Sequence, residues 1–312
     1  MSELHVVTGA FGYSGSYIAR GLLSRGYEVR TLTNSPQRPS ELRSQIDVKP
    51  LSFDDKGALV MNLTGAKVLY NTYWVRFDHA TFSHETAVKN TEALFDAAKL
   101  ARVSRIVHVS ITNPSLESPL PYFSGKARLE ERLKHLGVAY TILRPAVLFG
   151  AADILINNIA WALRRLPLFG VFGRGTYGLR PIHVEDLASL AVDSGTHAGN
   201  EVIDAVGPES FTYRELVNQV GEIVGVRRPI VSVPNWLGFL AARIIGWWQR
   251  DVFLTREEIA GLTSGLLESH GPTTGCIRLT DWAREHSSEL GLKYASEMRR
   301  RRQRSAPYVR VD

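Results

Sequence analysis

The chain has 312 residues, with 37 Lys and Arg against 31 Asp and Glu, a formal net charge of +6, 44% hydrophobic residues and one cysteine. Its apolar content excludes an intrinsically disordered chain, and its length suits one large domain or a domain with a smaller lobe. The single cysteine, Cys276, excludes an internal disulfide and a thiolate metal cluster, so a reducing compartment is expected.

The first nine residues contain neither a basic segment nor a long apolar segment, so no secretory signal is expected there. The most hydrophobic stretch runs from Trp236 to Trp248. It is shorter than the roughly 20 apolar residues of a membrane-spanning helix, and it carries Arg243. Together these features predict a cytoplasmic protein.

In the first half of the chain, short β-branched runs alternate with helical patterns. The predicted strands are 4–8, 28–32, 48–51, 67–72, 105–110 and 139–143, and the predicted helices are 14–24, 54–62, 85–100 and 122–135. Strands separated by helices of this length form βαβ units and a parallel sheet covered on both faces. The predicted fold is therefore α/β, a doubly wound parallel (Rossmann) sheet with a small mixed C-terminal substrate lobe. Ligand chemistry is expected after Thr8, Leu32, Thr72 and Ser110, where strands end.

A glycine-rich loop follows the first predicted strand. Gly9, Gly12 and Gly15 form a GxxGxxG pattern. The first glycine permits a tight turn, the second lets the backbone approach a pyrophosphate, and the third lets helix and strand pack closely. The amino end of the next helix offers N–H groups and partial positive charge to the phosphates. We predict that these glycines, with Phe11 and Tyr13, contact a dinucleotide. The alternative is a structural glycine turn without a ligand.

The second strand indicates which dinucleotide is bound. An NAD site usually has Asp or Glu about 20 residues after the loop, where it accepts from the ribose hydroxyls. Here Asn34, Ser35 and Arg38 follow the strand, and no carboxylate occurs before Glu41. Neutral and cationic side chains suit a 2′-phosphate, so NADP(H) is favoured as the cofactor, with NAD(H) as the alternative. Arg38 has the further alternative of being only a solvated loop residue.

A tyrosine and a lysine open the helix predicted near residue 122. Tyr122 and Lys126 are four residues apart, so both project from one helical face. A tyrosine that exchanges protons near neutral pH needs nearby positive charge, which the lysine and an oxidised nicotinamide would supply. A hydroxyl on the preceding strand, Thr112 or Ser110, would hold the substrate oxygen. The alternative is a chance spacing of a helix-start tyrosine and a solvated lysine.

The second half of the chain is less regular. It contains one predicted strand, 201–206, and helices that start near Tyr213, at Trp236 and at Thr255, where Glu258 completes a capping-box pattern. The predicted organisation is a dinucleotide-binding Rossmann domain over residues 1–152, a substrate-binding cap lobe over 153–298 with segments that return to the sheet, and a basic tail over 299–312. None of the nine histidines lies in an HxxxH or HExxH pair, so no metal site is predicted.

In the helix predicted from Trp236 to Trp248, the large apolar residues gather on one half of the helical projection, opposite Arg243, Gln249 and Arg250. The favoured interpretation is a cap helix packed on the protein core. The alternative is an interfacial helix that lies on a membrane or against a partner protein.

The positive charge is concentrated near the carboxyl end. Five charges come from Arg299, Arg300, Arg301, Arg302 and Arg304. Without these five, the net charge of +6 would fall to about +1. Such a run is usually a solvated tail, and it lies outside the predicted nucleotide site. Its alternative role is peripheral contact with anionic lipid, together with the tryptophans. No base-reading module accompanies it, so no nucleic-acid partner is expected.

Several motifs occur in order along the chain. They are the glycine loop 9–15, the segment NTEALFDAA at 90–98, the strand 105–110, the Tyr122/Lys126 pair and the segment LRPAVLFG at 143–150. Together they resemble the short-chain dehydrogenase/reductase superfamily over about half the chain, and PIHVEDLA at 181–188 resembles its extended, epimerase-like branch. NTYWVRF at 71–77 replaces a glycine-rich loop after the fourth strand. This feature resembles the atypical group that contains the accessory NADPH-binding subunit of respiratory complex I and bacterial proteins of the NAD-dependent epimerase/dehydratase type.

The resemblance implies roles for individual residues. Tyr122 would be the general acid/base, Lys126 would bind the nicotinamide ribose, and Thr112 or Ser110 would be the hydroxyl partner. Further cofactor contacts implied by motif position are Asn71, Thr72 and Pro145. The chain departs from active epimerases in one respect, because only nine residues separate Thr112 from Tyr122 and epimerases usually have a longer segment there.

Two functions are compatible with this sequence. The first is an NADP(H)-dependent reductase, epimerase or dehydratase that passes a hydride between nicotinamide and a small carbonyl or hydroxyl substrate. The second is a non-catalytic NADPH-binding structural subunit or redox sensor, as the resemblance to atypical members implies. The sequence does not indicate an oligomeric state.

Overall fold

The computed structural model of the protein describes residues 2–308. Strands and helices alternate over the first 145 residues. These elements are β1 (Leu4–Thr8), α1 (Tyr13–Ser24), β2 (Glu28–Thr33), β3 (Asp47–Pro50), α2 (Lys56–Leu63), β4 (Ala66–Asn71), α3 (His84–Leu100), β5 (Arg105–Val109), α4 (Pro121–Lys134) and β6 (Ala139–Pro145). Each predicted element of this region is present, with ends that differ by a few residues.

The remaining described chain has shorter strands and several helices. These elements are β7 (Leu148–Phe149), α5 (Leu155–Arg165), β8 (Phe169–Phe172), β9 (Gly178–Leu179), β10 (Ile182–His183), α6 (Val184–Ser194), β11 (Glu201–Ala205), β12 (Phe211–Thr212), α7 (Tyr213–Ile223), β13 (Ile230–Val233), α8 (Asn235–Gln249), α9 (Arg256–Thr263), α10 (Leu279–Glu285) and α11 (Glu297–Arg302). Thr255 and Glu258 form the predicted capping box at the start of α9.

The main sheet has seven strands in the order β11-β6-β5-β4-β1-β2-β3, and all of its neighbouring strands are parallel. From β1 the chain proceeds outward through β2 and β3, then returns to β4 on the other side of β1. The strand order therefore reverses between β1 and β4, which is where open parallel sheets bind ligands, at the carboxyl ends of the strands. The predicted doubly wound α/β fold is confirmed.

Contacts within the chain divide it into two compact units. Among the described residues, the first comprises 2–145, 187–205 and 304–308, and the second comprises 146–186 and 206–303. This division differs from the predicted boundaries because β6 ends at Pro145 and β11 pairs with β6 in the main sheet. The arginine-rich segment is also divided between the two units, after Gln303.

Each unit has its own apolar core. In the first, Val6, Leu69 and Ile106 from the sheet pack with Phe95 and Leu129 from the helices. In the second, the buried cluster includes Phe149, Trp161, Phe172, Leu216 and Trp282. The second unit also contains three two-stranded sheets, of which two are parallel and one is antiparallel. This mixture agrees with the predicted mixed C-terminal lobe.

Two predictions about the second half require correction. Of the large apolar residues of α8, Phe239 and Ile245 pack against the core, whereas the others are exposed. The buried residues of this helix are Gly238, Ala242 and Gly246. The arginine run is not a solvated tail throughout, because Ser296 caps a short helix, α11, over Glu297–Arg302. Across residues 2–308, no helix combines the length and the apolar character needed to cross a membrane.

Candidate functional site

The glycine loop forms the turn between β1 and α1. Gly9 has a φ of +70°, and the N–H of Gly12 donates to Gly9 O at 2.7 Å. A Cβ on Gly15 would lie 2.3 Å from Gly9 O, so only glycine lets α1 start this close to the loop. Gly12 caps the helix without a side-chain hydrogen bond, which leaves a helix terminus suited to an anion. Phe11 is buried and Tyr13 is half-buried.

Strand β2 fixes the position of this loop. Thr31 Oγ1 accepts from the N–H of Ala10 at 3.0 Å and donates to Val7 O at 3.0 Å. The N–H of Gly9 donates to Leu32 O at 2.9 Å. The glycine loop is therefore held in one conformation by hydrogen bonds to neighbouring strands. The role of Thr31 could not be recognised from the sequence, because threonine is an ordinary strand residue.

The loop after β2 carries the residues predicted to select the cofactor. The N–H of Ser35 donates to Thr33 Oγ1 at 3.1 Å, and the N–H of Arg38 donates to Ser35 O at 3.0 Å. Asn34 is exposed, whereas Arg38 is only 6% exposed. Arg38 is thus not the solvated loop residue of the alternative interpretation.

Residues near the carboxyl end cover this loop. The guanidinium of Arg304 donates to Asn34 O at 3.1 Å. The guanidinium carbon of Arg38 lies 5.3 Å from the centre of the Tyr308 ring, a cation–π contact. Arg304 and Tyr308 therefore lie beside the loop predicted to select the cofactor, although the arginine run was expected to lie outside the nucleotide site.

A buried polar network joins the carboxyl ends of β1, β4 and β5. Thr8 Oγ1 donates to Asn71 Oδ1 at 3.2 Å and accepts from the N–H of Thr72 at 2.8 Å. Asn71 Nδ2 lies 3.0 Å from His108 Nδ1. Burial lowers the pKa of His108 well below its usual value, and the charge of Lys126 adds to the effect. His108 is therefore neutral and can accept from the amide. Asn71 and Thr72, both predicted cofactor contacts, brace the strand ends beside the glycine loop.

Helix α4 carries Tyr122 and Lys126 one turn apart. Lys126 is 2% exposed, and its Nζ donates to Val109 O at 2.7 Å. Nζ also lies 4.3 Å from the ring centre of Trp74. Burial lowers the pKa of Lys126 to about 7, and the opposing attraction of Glu130 is smaller. The burial excludes the alternative of a solvated lysine.

Tyr122 is half-buried within a small aromatic cluster. Its ring centre lies 5.6 Å from Trp74 and 5.5 Å from His84, and the Trp74 and His84 rings stack at 5.9 Å. His84 is 2% exposed, with Nδ1 3.0 Å from Asp78 Oδ1. Sequence reasoning missed Trp74 and His84. The only signal was the unusual NTYWVRF segment, which did not show that its tryptophan lies over Lys126.

The two candidate hydroxyl groups have different surroundings. Ser110 Oγ donates to Glu130 Oε1 at 2.6 Å, and Arg144 Nε donates to the same oxygen at 3.0 Å. Thr112 is 1% exposed, and its N–H donates to Pro145 O at 3.1 Å. Ser110 thus takes part in an ion-pair network. Pro145 ties the segment after β5 to the end of β6.

Two polar side chains of the second unit, those of Arg180 and His183, have well-defined surroundings. Arg180 donates to Gly207 O at 3.1 Å and to Gly271 O at 2.5 Å, so its guanidinium holds two loops together. Burial lowers the pKa of His183, and neighbouring carboxylates oppose the shift. Within residues 2–308, no group of three or more His, Cys, Asp and Glu side chains could hold a metal ion.

Comparison with known proteins gives one family match and several relatives. Residues 9–154 match the family model described as NAD(P)H-binding. The chain is 27% identical over 245 residues to the mitochondrial NADH dehydrogenase (ubiquinone) 1 alpha subcomplex subunit 9 of Arabidopsis thaliana, which covers 73% of this chain and 60% of that protein. The chain thus spans less than two thirds of this relative's length.

Two other relatives differ in their described roles. The photosystem II assembly factor Ycf39 of Cyanophora paradoxa is 26% identical, over 73% of this chain and 71% of that protein. The 4-hydroxy-2-methyl-3-oxo-4-farnesyl-3,4-dihydroquinoline-1-oxide ketoreductase of Stigmatella aurantiaca is 27% identical, over 76% of this chain and 77% of that protein.

Solved structures share the fold. The triphenylmethane reductase of Citrobacter sp. has a TM-score of 0.76 at 17% identity, over 92% of this chain and 100% of that chain. The NADPH-dependent quinone oxidoreductase QOR2 of Escherichia coli, solved with NADPH, has a TM-score of 0.71 at 18% identity, over 92% and 99%. The UDP-glucose 4-epimerase of Thermotoga maritima has a TM-score of 0.63 at 18% identity, over 74% and 85%. These solved structures show the fold. The match of residues 9–154 to the NAD(P)H-binding model, taken with the relatives, agrees with the predicted dinucleotide cofactor and with the resemblance to the short-chain dehydrogenase/reductase superfamily.

Proposed function

We propose that the protein is an NADP(H)-dependent oxidoreductase of the extended or atypical short-chain dehydrogenase type, a reductase, epimerase or dehydratase of a small carbonyl or hydroxyl substrate. The observation that carries this proposal is the burial of Lys126 one turn after Tyr122, at the carboxyl end of β5. Burying a lysine without function is costly, since its charged form loses hydration.

The residues around the glycine loop fit a dinucleotide. A side chain at Gly15 would collide with the loop, and no side chain caps α1, so the helix terminus is accessible to a pyrophosphate. No carboxylate lies between Thr33 and Glu41 to accept from a ribose hydroxyl. Ser35 and Arg38 would instead hold a 2′-phosphate, which supports NADP(H) over NAD(H).

The proposed chemistry assigns one task to each side chain. When bound, the nicotinamide supplies or accepts the hydride. Tyr122 Oη would exchange a proton with the substrate oxygen. Lys126 would orient the ribose, and its protonated form would place positive charge near the phenol, which favours the phenolate. Thr112 or Ser110, of which Ser110 is hydrogen-bonded to Glu130, would supply the hydroxyl that positions the substrate oxygen.

The variant Tyr122→Phe tests the catalytic assignment. It keeps the ring contacts with Trp74 and His84 but removes the proton-transfer group, so we expect unchanged NADPH affinity and a turnover at least about 100-fold lower. Turnover would be measured by NADPH oxidation against a panel of carbonyl substrates, with NADPH fluorescence titration as the binding readout. Equal turnover of variant and wild type would refute the role of Tyr122.

A non-catalytic NADPH-binding subunit or redox sensor is the second candidate. Two observations favour it: Trp74 lies over Lys126, and Glu130 engages Ser110. The subunit and assembly-factor descriptions of two relatives also support it. This candidate requires a wild-type protein that binds NADPH tightly yet oxidises it with no member of the carbonyl panel.

We further propose a cytoplasmic location. Its support is the single cysteine, Cys276, which is exposed and unpaired with another cysteine, as is usual in a reducing compartment. Cell fractionation tests this, and recovery of the protein only from an oxidising compartment would contradict it.

A further inference from the structure

Helix α8 belongs to the second unit and packs its small residues against the rest of that unit. Gly238, Ala242 and Gly246 are buried at intervals of four residues. A Cβ on Gly238 would lie 2.3 Å from the Phe172 ring, and one on Gly246 would lie 2.7 Å from Asp251 O. The helix backbone packs so closely that only small residues fit on this side. Phe239 and Ile245 pack against the core, and the other large apolar side chains of α8 are on the outer side.

The outer face of α8 is apolar and exposed. Its large hydrophobic residues are 41% to 84% exposed, and they are Trp236, Leu237, Leu240, Ile244, Trp247 and Trp248. Single exposed apolar residues are ordinary, whereas six on one helix form a continuous patch typical of an interaction surface. With 15 residues, the helix is about 22 Å long, which is too short to cross a bilayer.

Positive charge accompanies this face. Arg243 lies on α8, which contains no Asp or Glu, and Arg250 follows it directly. Arg256 opens α9, and its guanidinium carbon lies 4.7 Å from the ring centre of Phe239 on α8. An apolar face with cationic side chains and no carboxylate of its own is complementary to an anionic, partly apolar surface.

Two carboxylates that follow α8 in sequence, Asp251 and Glu258, are engaged by backbone groups. Asp251 accepts from the N–H of Glu297 at 3.2 Å and of Met298 at 3.0 Å. Glu258 accepts from the N–H of Thr255 at 2.9 Å. The carboxylate of Asp251 therefore lies at the amino end of the basic helix α11, and that of Glu258 lies at the amino end of α9.

A cavity of about 450 Å³ lies beside α8. Its lining includes Trp236, Phe239, Leu240, Arg243, Arg256 and Ile259. Apolar side chains with two guanidinium groups match the two parts of a phospholipid, an acyl chain and a phosphate. This combination favours a lipid over a purely apolar protein segment.

We propose that α8 lies in the interface of a membrane that contains anionic phospholipids. Tryptophan rings at both ends of the helix suit the headgroup boundary, where one edge is apolar and the N–H is hydrated. A two-fold contact between copies of this face would bring Arg243 near its own counterpart with no carboxylate on α8 to pair with it. The membrane contact does not depend on the cofactor chemistry.

Vesicle co-sedimentation of the full chain tests the proposal. We expect binding to vesicles of phosphatidylcholine with phosphatidylglycerol, and about tenfold weaker binding to phosphatidylcholine alone. The double variant Trp236→Ser/Trp247→Ser should reduce binding to anionic vesicles about tenfold or more, because two interfacial rings are lost. Arg243→Gln should weaken binding to anionic vesicles and leave binding to neutral vesicles unchanged.

The matched control is Met61→Ser in the first unit, where Met61 is 76% exposed. This variant should bind vesicles like the wild type. All variants should retain NADPH affinity, which shows that they are folded. Wild type that stays in the supernatant with both vesicle types would overturn the proposal. A second result would also overturn it. If sedimentation velocity shows a dimer that the variant Trp236→Ser/Trp247→Ser dissociates, and the wild type does not bind vesicles, then α8 contacts a second copy of the chain.

Discussion

At the scale of single residues, the buried ammonium group of Lys126 links the site to pH. Its pKa in the folded protein, about 7, lies below the ordinary lysine value of 10.5. Between these two values the unfolded chain binds a proton that the native protein does not, so the free energy of unfolding rises with pH in this window. This gain in unfolding free energy is lost as the pH falls from 10.5 toward 7.

Lys126→Met tests this linkage. The variant should have a flatter profile of unfolding free energy against pH between 7 and 10.5, with a difference of at most about 5 kcal/mol across the window. Urea unfolding at several pH values measures it. Lys89→Met is the control, since Lys89 is exposed and its profile should match the wild type. Parallel profiles for Lys126→Met and wild type would contradict the lowered pKa.

Gly15 gives a steric prediction. In Gly15→Ala, the new Cβ would meet Gly9 O at 2.3 Å and Gly9 C at 2.8 Å, so the backbone must move. We expect a loss of about 1–3 kcal/mol in unfolding free energy and a clear decrease in NADPH affinity, because the loop and helix terminus separate. Thermal unfolding and fluorescence titration measure both effects. Gly57→Ala, where the nearest atom is 3.4 Å away, should change neither by much.

Some residues of the candidate site can be predicted from the sequence, and others cannot. The sequence identifies the glycine loop of Gly9, Gly12 and Gly15, because this spacing after a strand is typical of a tight turn that leads into a helix. Glu130 and Trp74 could not, because their partners Ser110 and Lys126 lie 20 and 52 residues away in sequence. Only the folded chain brings these pairs together.

At the scale of elements, periodicity predicted that α8 is a helix but not which side it buries. A helical projection separates large apolar from polar residues, and the usual interpretation buries the large ones. Here close backbone packing selects Gly238, Ala242 and Gly246 instead. That choice depends on Phe172, which lies outside the helix and is absent from the projection.

The segment after α11 supports a prediction about cofactor binding. Tyr308 covers the guanidinium of Arg38, which we propose holds the 2′-phosphate. Tyr308→Ala should therefore raise NADPH affinity about threefold, the size of one exposed cation–π contact, and leave NADH affinity unchanged. Fluorescence titration with both cofactors measures the effect. Ser305→Ala is the control, and an equal change for NADPH and NADH would show that Arg38 does not read the 2′-phosphate.

At the scale of the whole molecule, the sheet was largely predictable and the second unit was not. Alternating strands and helices predict that β1 to β6 form one parallel sheet, whereas the order of the strands across it is seen only in the structure. The second unit depends on short strands such as β7 and β10, each of two residues. Runs of that length carry no usable periodicity, so their pairing follows from tertiary contacts alone.

The position of β11 has a consequence for synthesis of the chain. This strand completes the main sheet beside β6, yet 55 residues separate Pro145 from Glu201. At about 5–20 residues per second on a ribosome, the free edge of β6 would wait roughly 3–12 s for its neighbour. An unpaired edge strand is a template for pairing with other chains. We therefore expect chaperones to be needed most by nascent chains in which β6 has emerged from the ribosome and β11 has not.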